Sequence, residues 1–171
     1  MVNIVRSLLY FVLLVLVQIL ILNNIHFLRL VTPLLYIYFI IKLPTGYSSV
    51  RVTCLSFLLG LVMDMLSNTP GMHAAACTLA GFARPYIINV LMRENLPENT
   101  IPSFRTFGYG NFVRFALLFV ILHHVALFVI ESLTLFDPLF LAIRILGSIA
   151  MTTAFICVAE SFNRRTRKNE D

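Results

Sequence analysis

The feature that most constrains this chain is a series of long apolar runs that contain few charged side chains. A helix needs about 20 mostly apolar residues to cross the roughly 30 Å hydrocarbon core of a bilayer. The 171-residue sequence is 59% hydrophobic and 12% charged, with a mean hydropathy of +0.89, whereas soluble domains average about 25% charged residues. The sequence therefore predicts an integral membrane protein.

The apolar runs predict an all-α bundle of about six transmembrane helices, forming a single domain over residues 1–160. The largest polar stretch forms an internal loop over 93–110, and a basic cytoplasmic tail covers 161–171. The predicted helices cover residues 7–23, 28–42, 50–66, 73–92, 111–130 and 138–160. We expect the first to be a retained helix, because no small-residue cleavage site of a signal peptide follows it.

The distribution of basic residues predicts the orientation of the bundle. With the amino terminus inside and six alternating helices, only Arg29 falls in an outer loop, and the cytoplasmic side is strongly basic. Its basic residues are Arg6, Lys42, Arg51, Arg93, Arg105, Arg114, Arg164, Arg165, Arg167 and Lys168. If segment 28–42 does not span, Arg6 and Arg29 exchange sides and the bias is equally strong. The need to bury this apolar segment favours six spans with both termini cytoplasmic.

The net charge of the chain is +5, and its densest basic stretch is the tail "RRTRKNED" directly after an apolar helix. Basic residues in that position bind anionic lipid headgroups, at about 1 kcal/mol per Lys or Arg near the surface. The charge therefore predicts contact with anionic lipid and not with nucleic acid.

The sequence contains no motif for catalysis, for a cofactor or for a metal, and we expect neither enzyme activity nor a cofactor. His123 and His124 are neighbours on one predicted helix, so their side chains point about 100° apart and cannot easily share a metal. Cys54, Cys77 and Cys157 lie in apolar runs without a paired spacing. They are expected to behave as small hydrophobic residues.

Charged residues inside predicted helices are candidates for a functional role, because each costs about 2.5–3.5 kcal/mol at the bilayer centre on insertion scales. Asp64 lies close to the outer loop and Arg144 about 9 Å deep from the same side, so a pair between them is within reach. Arg84 precedes Pro85. It is expected either to extend to the cytoplasmic surface or to bond carbonyls that the proline leaves free. A static clamp, a contact to a partner helix and a transport pathway all stay open for these charges.

Small residues mark a packing face on the fourth predicted helix. Ala76 and Ala80 share a face with Arg84, and Gly60 stands four residues before Asp64 on the third helix. Small residues at a spacing of four let another helix approach closely. We expect this packing within the bundle, with packing against another molecule as the alternative.

The stretches "PLLYIYFIIKLP" and "FLLGLVMDMLSNTPGMHAAACTLAGF" resemble the rod shape-determining protein MreD family. That family has a short second helix bounded by prolines, a G-x-x-x-D helix, a brief loop with a glycine, and a helix that opens with His or a small residue. The matching positions are Pro33, Pro44, Gly60, Asp64, Gly71 and His73. The resemblance covers roughly residues 32–92, about a third of the chain.

The resemblance implies a fold similar to the substrate-binding components of energy-coupling-factor transporters. It also implies a multi-pass protein of the bacterial inner membrane that has no catalytic activity of its own. Its implied partners are an MreC-like membrane protein and, through the elongation complex, MreB and the peptidoglycan synthases. The candidate packing or partner-contact residues are then Gly60, Asp64, Gly71, His73, Ala76, Ala80, Arg84 and Arg144.

Two other functions stay open. A substrate-binding subunit of an energy-coupling-factor-type transporter would need a polar pocket that opens to the outside. A membrane enzyme acting on lipid-linked precursors would need an acid–base pair, and the sequence does not indicate one.

Overall fold

The computed structural model describes residues 4–22, 31–92, 97, 99–132 and 138–168, and within these residues the chain is helical and forms no sheet. Helix α1 (Ile4–Leu20) is followed by a 3₁₀ turn (Leu35–Ile37) that runs directly into the one-turn helix α2 (Tyr38–Ile41). The four long helices are α3 (Ser49–Ser67), α4 (Met72–Leu91), α5 (Tyr109–Ser132) and α6 (Pro138–Lys168).

The long helices make this a multi-pass membrane protein. Each of α3, α4, α5 and residues 139–163 of α6 is long and apolar enough to cross a bilayer. Helix α1 has 17 residues, so it is about 26 Å long, slightly less than the hydrocarbon thickness. The predicted helical membrane bundle is therefore confirmed at this coarse level.

The predicted spanning helix over 28–42 is not formed. Residues 28–30 lie outside the described residues, and the helical part, from Leu35 to Ile41, is only about 12 Å long. Pro33 keeps the residue before it out of helical geometry, and Pro44 has the same effect on Leu43. We call residues 31–44 the core segment, because most of its side chains are buried among the other helices.

The turn between α3 and α4 shows how the sequence fixes helix ends. Ser48 starts α3 by accepting a hydrogen bond from the backbone N–H of Arg51, and Asn68 ends it in the left-handed conformation at φ 55°. Gly71 precedes α4 at φ 79°, a conformation that glycine adopts without steric cost. The turn is therefore short, and it brings α3 and α4 together as an antiparallel pair.

Helix α1 runs antiparallel to the core segment. Tyr10 and Phe11, near its start, lie against Tyr38 and Phe39 with ring centroids 6.1 and 5.3 Å apart. Gln18, near its end, bonds the opposite end of the core segment. Helix α1 and the core segment therefore form a hairpin with one long and one short arm, which packs against the remaining helices.

The bundle has two distinct ends. The Lys42 end contains the start of α1, the end of the core segment, loop 99–108 and the region of α6 around Glu160, because Lys42 bonds both Pro102 and Glu160. The Asp64 end, opposite, contains the α3–α4 turn and the start of α6. Helix α6 runs through most of the predicted tail to Lys168.

Several basic residues of the predicted charge pattern, or their side chains, lie outside the part of the chain that the structure describes. Arg29 and Arg93 lie outside the described residues, and so do the side chains of Arg6 and of the four basic residues in 164–168. Loop 99–108 belongs to the Lys42 end: Thr45 N–H donates to Thr100 at 2.9 Å, and Phe104 and Phe107 are buried there.

Candidate functional site

The Asp64 carboxylate caps helix α4 from the preceding helix. It accepts hydrogen bonds from the backbone N–H groups of His73 and Ala74 at 2.9 and 2.8 Å, and from the Thr69 hydroxyl at 2.9 Å. Gly71, at the N-cap position, has no side chain that could do this. The first N–H groups of a helix lack partners within it and carry partial positive charge. Asp64 therefore satisfies two buried donors and stabilises the start of α4.

Arg144 does not pair with Asp64, which corrects the sequence prediction. Its guanidinium donates to Glu131 at 2.9 Å and lies 4.7 Å from the centre of the Phe128 ring. Helix α6 packs against α5, so the carboxylate that Arg144 meets is the one in the last turn of α5. Asp64 is meanwhile bonded by three donors from its own hairpin.

Two glycines let α3 and α4 approach closely. A Cβ on Gly60 would lie 2.5 Å from the carbonyl oxygen of His73, and a Cβ on Gly81 would lie 2.6 Å from the Cβ of Ser56. Each helix thus presents a notch to the other. Close approach at Gly60 also brings Asp64, one turn later, within hydrogen-bonding distance of the start of α4.

The predicted small-residue face of α4 points into the bundle. Ala76 and Ala80 are completely buried, as is the neighbouring Cys77. Arg84, one turn further on, is also buried. This face therefore packs within the chain, which is the first of the two alternatives left open by the sequence.

Below the capped turn lies a buried polar cluster that the sequence did not indicate. We call Tyr36, His73, Cys77 and His123 the Tyr36 cluster. The Tyr36 hydroxyl oxygen is 2.7 Å from His73 Nδ1 and 2.9 Å from His123 Nε2, and Cys77 Sγ is 3.5 Å from the same His123 nitrogen. Tyr36 and His123 have no exposed surface. One hydroxyl thus joins the core segment to both α4 and α5.

His124 belongs to a second network, on the other side of α5. Its Nδ1 is 2.9 Å from the carbonyl oxygen of Val120, and its Nε2 is 3.1 Å from Thr152 Oγ1. A carbonyl oxygen only accepts, so Nδ1 carries the proton and Nε2 accepts from the threonine hydroxyl. Thr152 in turn accepts the N–H of Leu34 at 3.0 Å. The adjacent histidines therefore hold different parts of the structure.

Side chains from α1 and α6 form hydrogen bonds with the backbone groups at the start of the core segment. Gln18 accepts the N–H of Leu35 at 2.7 Å and donates to the carbonyl of Pro33 at 2.9 Å. Ser148 accepts the N–H of Thr32 at 3.1 Å. Backbone groups that are not in a helix need such partners at membrane depth, where water is scarce.

Arg84 forms hydrogen bonds with the backbone carbonyls at the other end of the core segment. Its guanidinium donates to the backbone carbonyls of Ile41 and Leu43. Neither alternative drawn from the sequence is therefore correct, because Arg84 neither extends to the surface nor bonds carbonyls of its own helix. Basic groups favour a helix C-terminus, where carbonyls without partners carry partial negative charge.

A buried ion pair completes the Lys42 end. Glu160 accepts from the ammonium group of Lys42 at 2.9 Å and from the hydroxyl of Tyr38 at 2.5 Å. Lys42 also donates to the carbonyl of Pro102 at 2.7 Å. The pair ties the core segment to α6 and to loop 99–108.

Within the described part of the chain, no group of three or more His, Cys, Asp or Glu side chains is arranged to hold a metal ion. These side chains can link helices through hydrogen bonds, and the members of the Tyr36 cluster can exchange protons with one another. No protein-family model, no curated protein and no solved structure matches this sequence or its fold.

Proposed function

We propose that this chain is a non-enzymatic scaffold of the MreD type. It would work in the bacterial inner membrane with both termini in the cytoplasm, and would contribute to cell shape and lateral peptidoglycan synthesis. Its partners would be an MreC-like membrane protein and, through the elongation complex, MreB and the peptidoglycan synthases. The basic tail would hold anionic lipid at the cytoplasmic surface.

The observation that carries this proposal is that the residues of the MreD-like pattern form one connected unit. The proline-bounded core segment bonds α4 through Tyr36 and His73. His73 is bonded through its backbone to Asp64, and Gly60 provides the close approach between the two helices. Motif residues that are far apart in sequence thus cooperate in one structural task, which a shared family fold would explain.

The interior of the unit also favours a scaffold. Polar groups at membrane depth are costly unless they are bonded, and here Asp64, Arg84 and Glu160 all bond other parts of the chain. A groove of about 640 Å³ runs between α3 and α4. It is open on the side of the bundle that faces away from the core, and its lining is almost entirely apolar. Such a groove does not suit a polar substrate.

One observation favours a second candidate, a substrate-binding membrane subunit of an energy-coupling-factor-type transporter. Transporter binding sites are commonly built where a helix is interrupted near the middle of the membrane. The core segment contains a short buried helix of this kind, and His73 and His123 converge on the hydroxyl of its Tyr36. This reading requires the cluster to open to the outside and admit a small molecule.

Depletion of the protein in its own host distinguishes the two candidates. For a scaffold of the elongation complex, rod-shaped cells should round before they lyse, as seen by microscopy. Wild-type protein should restore the rod shape, whereas Asp64→Ala at equal membrane abundance should not. Normal shape with a new nutrient requirement would instead support the transporter subunit and contradict the scaffold.

Co-purification of the MreC-like partner tests the scaffold directly. Asp64→Asn should reduce the partner recovered, because the NH₂ group of the amide replaces one of the two oxygens that accept the N–H groups of His73 and Ala74. Asp64→Glu should retain part of it, since the carboxylate is kept. Equal recovery with both variants and with wild type would contradict a role of the capped turn in assembly.

A further inference from the structure

We propose that the Tyr36 cluster is a proton-operated latch, in which uptake of one proton from water by His73 or His123 releases Tyr36 from α4 and α5. The release would remove the bonds of the Tyr36 hydroxyl to α4 and α5, while Gln18, Ser148 and Thr152 still hold the start of the core segment. This device is independent of the scaffold function, because it depends only on groups within the bundle.

Hydrogen counting shows how two neutral histidines close the cluster. A neutral imidazole has one N–H and one accepting nitrogen, and a tyrosine hydroxyl has one proton to donate. With both His73 and His123 facing the same hydroxyl oxygen, one ring must donate to Tyr36 and the other must accept from it. Two neutral rings and one hydroxyl meet this condition.

The unbonded Nδ1 of His123 favours one of the two possible directions of the hydrogen bonds at Tyr36. His123 Nδ1 is buried and has no hydrogen-bond partner within the described part of the chain. A buried N–H without an acceptor is rarer in proteins than an under-satisfied acceptor. The favoured arrangement therefore leaves Nδ1 without a proton, with His123 Nε2–H donating to Tyr36 and the Tyr36 hydroxyl donating to His73 Nδ1.

An added proton disrupts this arrangement at either nitrogen that can take it. On His73 Nδ1 it removes the acceptor of the Tyr36 hydroxyl. The hydroxyl could then donate only to His123 Nε2, which would move that ring's proton to the buried Nδ1 that has no acceptor. On His123 Nδ1 it creates a buried N–H on a charged ring with no acceptor. Burying a charge or a donor without a partner is costly, so both routes favour an open cluster in which the charged ring reaches water.

The groups around the cluster are consistent with a single titrating unit. From α3, Asp64 accepts the backbone N–H of His73, and on α5 the His124 ring centroid lies 5.5 Å from that of His123. Glu131, in the last turn of α5, is the other acidic group whose charge acts on His73. From α1, Gln18 accepts the backbone N–H of Tyr36 at 3.4 Å. Asp64 is held by three donors of the turn. His124 already has a donor and an acceptor of its own, so its tautomer is set without Tyr36.

The Asp64 end is the side from which we expect water to reach the cluster. His73 is in the first turn of α4 and retains 8% of its surface, whereas His123 has none. Thr69, which bonds Asp64, is in a partly buried position at the turn. The proton would therefore arrive at His73 first, and no oxidant or other reactant is needed.

Cysteine alkylation reports the opening, because Cys77 is buried in the cluster and Cys54 is exposed on α3. The full chain carrying Cys157→Ser would be placed in lipid nanodiscs and treated with a small membrane-permeant maleimide from pH 8 to 5. A histidine ring that reaches water, as in the open cluster, gains its proton within about this range. Mass spectrometry would give the ratio of the Cys77 rate to the Cys54 rate. Cys54 corrects for the pH dependence of the reagent.

The ratio should rise about tenfold or more on acidification. In His73→Gln/His123→Gln it should not change with pH, whatever its level, whereas His124→Gln should keep the rise. A constant ratio in the parent protein would overturn the proposal, as would an undiminished rise in the double variant.

Ring ¹⁵N NMR of the His26→Gln protein provides a test that does not depend on changing the cluster. Signals of His73 or His123 should change from neutral to protonated over the same pH interval in which Cys77 becomes reactive. Midpoints that differ by more than about one pH unit would overturn the latch.

Discussion

Asp64 performs, from the neighbouring helix, the task that an N-cap residue performs for its own helix. Its two oxygens bond the N–H groups of His73 and Ala74 and the hydroxyl of Thr69. Because Gly71 is needed for the left-handed turn, the cap has to come from elsewhere. The acidic residue at the end of an apolar helix is thus explained by the start of the next one.

Removal of this cap should destabilise the bundle measurably. Asp64→Ala leaves two buried N–H groups without an acceptor, so we expect the free energy of unfolding to fall by about 2–4 kcal/mol. Unfolding by SDS in mixed micelles would measure it. Thr53→Ala is the matched control, because this exposed hydroxyl bonds only within its own helix. A loss for Asp64→Ala no larger than the control's would contradict the capping role.

Single residues differ in how far the sequence could indicate their roles. Asp64, Gly60 and Arg84 stand out because a charge or a glycine in an apolar helix needs a reason. Their partners could not be predicted, since Arg84 bonds a backbone 41 and 43 positions away. Tyr36 gave no signal, because its histidine partners are 37 and 87 positions away and a tyrosine in an apolar run is ordinary.

The close contact between α3 and α4 depends on Gly60 and Gly81, whereas Gly110 in α5 faces open space. Gly60→Ala and Gly81→Ala each place a methyl group against the facing helix, and overpacking of this kind costs about 1–3 kcal/mol. Gly110→Ala, in α5, meets nothing within 4 Å and should be neutral or stabilise by up to about 1 kcal/mol. Thermal unfolding of the three variants would measure the contrast, and equal midpoints would contradict it.

Most helices could be predicted from the sequence because their ends carry local signals. The predicted ranges 50–66, 73–92 and 111–130 fall within two residues of α3, α4 and α5 at each end. The exception is the core segment, whose apolar residues predict burial but not a span. Its fold is decided by Gln18, Arg84, Ser148 and Thr152, which lie on other helices.

The direction of the chain through the bundle predicts where its ends lie. The start of α1, loop 99–108 and the carboxyl-terminal half of α6 share the Lys42 end. Tags at residue 1, at Ser103 and at residue 171 should therefore all be accessible from the same side of the membrane. Protease protection in right-side-out and inverted vesicles would show this, and an amino-terminal tag on the opposite side would contradict the hairpin of α1 and the core segment.

The bonds at the ends of the core segment also dictate an order of events during synthesis. Its backbone is satisfied by Arg84, Ser148 and Thr152, and Lys42 by Glu160. At about 5–20 residues per second, roughly 6–24 s separate the emergence of Lys42 from the ribosome from that of Glu160. Until then the segment lacks the partners that α6 provides, and we expect it to stay at the translocon or the membrane surface. The first hairpin of this protein is thus completed by its last helix.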